Sequence, residues 1–187
     1  MVFDQRITIA VTYRTGEVPV SESRCVQAER IIDAPAEVIF DVLADPRRHC
    51  EIDGSGTVHD AMVSAPERLS ANSTFAVRMR VRPPDAHPAS LLQVAVALIN
   101  HGRIGNTVTE FDEPHAITWR NDFGRHTWRY ELHPVPGSPG RTLVRETFDY
   151  SANLLPPLLE LVGFPGKNRN AMRHTLDRLA AAVGATV

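Results

Sequence analysis

A few ionisable side chains in this chain stand where strand alternation would turn them toward an apolar interior. In the run HTWRYELHPV, His126, Trp128, Tyr130 and Leu132 share one face and Arg129, Glu131 and His133 the other. The bulky set belongs inside. In LVRETFDYS, Val144, Glu146, Phe148 and Tyr150 share a face opposite Arg145 and Asp149, so an apolar interior takes Glu146 with it. Burial disfavours an ionised acid unless it is paired, and the raised pKa makes such a group a proton donor or acceptor near neutrality. Glu146, Tyr130 and His126 are therefore the candidate catalytic residues. Each has a plainer alternative: Glu146 as an edge-of-sheet acid paired with Arg120 or Arg129, Tyr130 and Trp128 as core aromatics, and His126, just after a glycine turn, at the rim of the interior or in solvent.

Other chemistries find little support. The eight histidines are scattered with no HxH or HxxxH spacing, so no metal site is expected. No GxSxG, P-loop or GxGxxG element occurs, and no cofactor is expected. A net charge of -2 without a basic stripe argues against nucleic acid as a partner. The longest apolar run, Val94 to Ile99, is far short of a membrane span, and no signal-peptide core is visible, which places the expectation in the cytoplasm. Cys25 and Cys50 have neither CxxC nor zinc-ligand spacing and read as reduced thiols.

The elements that must position these groups follow from periodicity. Phe3 to Tyr13 alternates as a first strand, and the Pro19 to Ser23 connection leaves residues 1–23 as an edge strand or a flexible arm. As an edge strand it could pair two copies into a homodimer. Arg24 to Ile32 is the next strand. Asp33-Ala34-Pro35 then opens a helix with Val38, Ile39, Val42 and Leu43 on its buried face, and Arg47 to Ile52 forms a second short helix. Further strands are expected over Thr57 to Ala65, Thr74 to Arg82, Arg103 to Asp112, His115 to Asp122, His126 to Val135 and Arg141 to Ser151. In the second of these Phe75, Val77 and Met79 face inward, with Arg78, Arg80 and Arg82 on a solvated face; Ile117 and Trp119 pair similarly. Residues 83–102 look like an insertion. Within it Pro88 to His101 is apolar all round and is expected to be a helix lying as a lid over the interior. The chain closes on a long helix broken at Gly163-Phe164-Pro165-Gly166, with Met172, Leu176, Leu179 and Val183 on one stripe.

One strand, two short helices, a run of antiparallel strands and a long helix imply an α+β fold, with the terminal helix covering the apolar face of a curved sheet. The stretches AERIIDAPAEVIFDVLADPRRHCEIDGSG, EFDEPHAITWRN, HTWRYELHPV and LVRETFDYS resemble the polyketide cyclase/dehydrase branch of the START-like superfamily, also called SRPBCC or Bet v 1-like. The resemblance covers about residues 24 to 184. It implies a helix-grip domain over residues 24–187, with a hydrophobic cavity between sheet and helix. That superfamily includes carriers, receptors, cyclases and chaperone activators on one scaffold, so fold alone does not choose a function. The residues favour binding of an apolar, ring-containing lipid or polyketide-like molecule, with Phe75, Met79, Trp119, Trp128, Tyr130 and Phe148 from the sheet, Met172, Leu176 and Leu179 from the helix, and Asn168 as a polar contact. A cyclase or dehydratase using Glu146, Tyr130 or His126 is the alternative, and a protein-interaction module without ligand a weaker one.

Overall fold

The computed structural model describes residues 24–81 and 85–184. The expected strand, arm or dimer contact of residues 1–23 lies outside them. Seven antiparallel strands form one sheet in the order β1-β7-β6-β5-β4-β3-β2. They are β1 (Cys25–Ile32), β2 (Val58–Ser64), β3 (Thr74–Met79), β4 (Arg103–Asp112), β5 (Ala116–Asn121), β6 (Thr127–Pro134) and β7 (Thr142–Asp149). The helices are α1 (Ala36–Ala44), α2 (His49–Ile52), α3 (Pro88–Ile99), α4 (Pro156–Leu161) and α5 (Phe164–Gly184). This is the helix-grip arrangement.

Helix α1 starts after the extended Pro35 and drives Ile39, Phe40, Val42 and Leu43 into the core. The single short helix expected over Arg47 to Ile52 is instead a 3-10 turn, Pro46–Arg48, leading into α2. Asp45 ends α1 and caps that turn by accepting from the Arg47 backbone N–H, which fixes the tighter start. Asp53 then organises the loop into β2: Oδ1 accepts from the Ser55 N–H and hydroxyl, and Oδ2 from the Val58 N–H. The loop is pinned on α5, because Gly54 N–H donates to Thr175 Oγ1 at 3.0 Å and Arg178 donates to the Asp53 carbonyl at 2.8 Å.

The terminal helix breaks earlier than its sequence suggests. Gly163, with φ +72°, separates α4 from α5, and Phe164, Pro165 and Gly166 already belong to the first turn of α5. Proline fits there because first-turn N–H groups have no partner inside the helix. Along the second half of α5, Leu176, Leu179 and Val183 meet the sheet directly in a core shared with Val26, Ile32, Phe40 and Leu132. Along the first half, beyond the Phe164 ring that packs on Phe148 of β7 at 5.9 Å, sheet and helix part.

Candidate functional site: an aromatic cavity

The gap left between the first half of α5 and the concave face of the sheet is a cavity of ≈ 380 Å³. Its sheet wall is Phe75, Val77 and Met79 from β3, Ile104 and Asn106 from β4, Trp119 and Asn121 from β5, Trp128 and Tyr130 from β6, and Glu146 from β7. Strand alternation is the physical reason that these residues share one face. Helix α5 contributes Phe164, Asn168, Ala171, Met172 and Thr175. These recur every three or four residues, as one helical face requires.

The remaining sides come from the short elements. Leu92, Gln93 and Val96 of α3 face the cavity, and Leu154, Leu155, Leu158 and Leu159 border it at α4. The α3 helix is latched to α5 by Asp85, whose carboxylate accepts from Ser90, the His87 N–H and Lys167 Nζ at 2.9 Å. These bonds, led by that of Ser90, lower the Asp85 pKa to about 2. All-round burial of α3 does not hold: Leu98 and Ile99 on its outer face are 58% and 66% exposed. The helix is amphipathic across the cavity wall, and its outer apolar row faces solvent.

The candidate acid and base groups converge on this space. Glu146 is 2% exposed and Tyr130 is buried beside it, the phenol donating to Glu146 Oε1 at 2.8 Å. Burial raises the Glu146 pKa from 4.5 to about 8; the Tyr130 hydrogen bond works against the rise and the charge of Asp53 adds to it. Burial, together with the neighbouring Glu146 charge, pushes the Tyr130 phenol well above its ordinary value. At neutral pH Glu146 is thus a carboxylic acid, with Oε1 occupied by Tyr130 and Oε2 buried without a partner among the described residues. The arginine alternative fails on geometry. Arg129 pairs with Glu110 and Glu131, on the other face of the sheet from Glu146.

His126 lines the cavity and is half-buried rather than free in solvent. Its ring packs against Phe148 at 5.1 Å and Trp128 at 6.4 Å, and Nδ1 is buried without a partner among the described residues. Gly124 makes this possible, since a Cβ there would stand 2.7 Å from His126 Nδ1. Burial lowers the His126 pKa to about 4, so the imidazole is neutral.

Of the residues named as ligand contacts, Phe75, Met79, Trp119, Trp128, Tyr130, Asn168 and Met172 line the cavity. Phe148, Leu176 and Leu179 do not; they are fully buried behind it, Phe148 stacked on Tyr150 and tilted against Trp128, and the two leucines where helix and sheet touch. Sequence reasoning missed His49 and Asp53. His49 comes from α2, stacks on Trp119 at 5.0 Å and is held by a bond to the Leu43 carbonyl at 2.9 Å; burial lowers its pKa. Neither residue lies on a strand, so alternation could not reveal it. Asn106 and Asn121, inward-facing polar residues on β4 and β5, could have been found by that signal.

Comparison with known proteins now decides the family. The family model for polyketide cyclase / dehydrase and lipid transport matches residues 23–184. The chain belongs to that family. It is 34% identical over 154 residues to the uncharacterized protein Rv0088 of Mycobacterium tuberculosis, covering 80% of this chain and 59% of the relative. It therefore spans only about three fifths of the length of that relative. Among solved structures, protein Ms6760 from Mycobacterium smegmatis aligns with TM-score 0.57 and 16% identity, covering 88% of this chain and 94% of that one. An AHSA1-like protein from Aeromonas hydrophila aligns with TM-score 0.53 and 17% identity over 87% and 93% of the two chains. These likenesses are of fold. Among the described residues no helix is long and apolar enough to cross a membrane.

Proposed function

We propose that this protein binds an apolar, ring-containing small molecule of lipid or polyketide-like character in the cavity between the sheet and α5. The carrying observation is the cavity itself: ≈ 380 Å³ walled by Phe75, Trp119, Trp128 and Tyr130, a size and lining suited to a small molecule. Contact with the ligand would come from these four rings and from Met79, Met172 and Asn168. The inserted helix α3 acts as the lid, closing one side through Leu92, Gln93 and Val96. Burial of several such side chains against a ligand, at about 1 kcal/mol each, supports micromolar affinity after association costs. Trp119 and Trp128 are the only tryptophans and both line the cavity, so their fluorescence reports occupancy directly. Titration of fatty acids, flavonoids and polycyclic aromatics should change that emission and raise the melting temperature for at least one class. No response to any class, with no small molecule retained in native mass spectrometry, overturns the reading.

The Tyr130 and Glu146 pair favours a second reading, a cyclase or dehydratase in which the protonated acid serves a bound polyketide-like substrate. Glu146→Gln separates the two. Lost turnover at unchanged affinity identifies an enzyme, and no turnover in either form identifies a carrier.

A further inference from the structure

The ionisable side chains that line the cavity are His49, Asp53, His126, Tyr130 and Glu146; neither lysine nor arginine contributes to its wall among the described residues. A carboxylate or phosphate entering this space would lose its hydration and meet Asp53 with no cation to receive it. The polar atoms left over say what the cavity does receive. Four buried side-chain atoms have no hydrogen-bond partner among the described residues: Gln93 Oε1, His126 Nδ1, Glu146 Oε2 and Asn168 Nδ2. All four residues line this one cavity, from α3, the β5 to β6 turn, β7 and α5. Glu146 and Asn168 are each 2% exposed, so bulk water does not serve them.

Their chemistry divides evenly. Asn168 Nδ2 is a donor. Glu146 in its acid form, with Oε1 taken by Tyr130, donates from Oε2. Gln93 Oε1 is an acceptor, and the neutral His126 ring accepts at Nδ1 when its proton is on Nε2. A ligand bearing only an ammonium group would leave Asn168 unanswered, and one bearing a carboxylate would leave both acceptors unanswered. Resting on the ligand-binding reading above, we propose that the cavity selects uncharged ring compounds bearing a carbonyl-type acceptor, received by Glu146 and Asn168, and a hydroxyl donor, received by His126 and Gln93, and that it refuses carboxylate ligands.

A matched set of naphthalenes tests this on the intact chain at pH 6.5: 6-acetyl-2-naphthol, 6-hydroxy-2-naphthoate, 6-(aminomethyl)-2-naphthol and 2-ethylnaphthalene, titrated by calorimetry and by tryptophan emission. The acetylnaphthol should bind about tenfold or more tighter than each of the others, because they leave buried groups unpaired or bring in an uncompensated charge. Glu146→Gln keeps a donor at that position and should hold acetylnaphthol affinity within about threefold, whereas Asn168→Leu removes a donor and should lose about tenfold. Binding of the naphthoate or the amine as tightly as the acetylnaphthol overturns the charge selection. Equal binding of ethylnaphthalene overturns the polar recognition and leaves the cavity reading intact. Failure of all four probes to bind removes the cavity reading itself, and this inference with it.

Discussion

The Tyr130 hydroxyl donates to Glu146 Oε1 across 2.8 Å, from one strand to its neighbour, with Tyr130 and Glu146 directly opposite in the β6 to β7 register. The strand pairing sets the two side chains on one face, and the sheet together with α5 shuts them from solvent. A buried acid with a single neutral donor is kept in its protonated form, because nothing nearby compensates its charge.

Stability should therefore fall with alkalinity in a way traceable to Glu146. Its pKa is 4.5 when unfolded and about 8 when folded, so between these values the folded state holds the extra proton and each rise in pH favours unfolding. His126 acts oppositely: its folded pKa of about 4 lies below the ordinary 6.5, so stability rises with pH across that window. Between pH 4.5 and 6.5 the two slopes offset one another, so their combined contribution is level there and falls as the pH rises from 6.5 toward 8. In Glu146→Gln the decline toward pH 8 should disappear and the His126 rise between pH 4 and 6.5 should be uncovered, read from chemical denaturation at a series of pH values.

Tyr130→Phe removes the bond to Glu146 and leaves Oε1 without its donor. A loss of about 1–2 kcal/mol is expected in urea unfolding. The Glu146 pKa should rise further, since the bond to Tyr130 holds it down. Carboxyl titration followed by infrared or NMR spectroscopy checks the direction.

Gly54→Ala should be among the most damaging single changes outside the core. A Cβ at Gly54 would collide with the backbone of Ala171 and Thr175 on α5, atoms that no rotamer change can move. Overpacking of this kind costs about 1–3 kcal/mol. Because the loop also carries Asp53 to the cavity, affinity for any ligand should drop together with the melting temperature, whereas Gly137→Ala, in open space but at φ +72°, should affect stability alone.

The Asp85 to Lys167 pair ties the segment leading into α3, the proposed lid, to α5. Lys167→Ala should change global stability little, because the Asp85 end of the pair is open to solvent. Amide hydrogen exchange in α3 should nevertheless quicken, and bound ligand should dissociate several-fold faster, because the lid loses a tether without losing its packing. Unchanged exchange in α3 would show that Leu92, Val96 and Ala97 hold the lid without it.

Much of the site was legible from one-dimensional periodicity. Two-residue alternation puts Trp128, Tyr130 and Glu146 on a common face whatever their neighbours, and the spacing of Met172, Leu176 and Leu179 fixes a helical stripe. Strand and helix identity follow from these patterns because they depend only on local backbone geometry. The same patterns could not tell cavity from core. Met172 lines the cavity and Leu176 does not, although they share a stripe, because the curved sheet stands off α5 between the Phe164 contact with Phe148 and the packed second half of the helix. Nor could alternation bring in His49 and Asp53, which a 3-10 turn and a capped loop deliver from outside the sheet, or place His126, whose ring is drawn inward against a glycine. Periodicity assigns a side chain to a face. Only the separation between two faces, set by sheet curvature and by where the helix breaks at Gly163, decides whether that side chain meets another side chain or an open space.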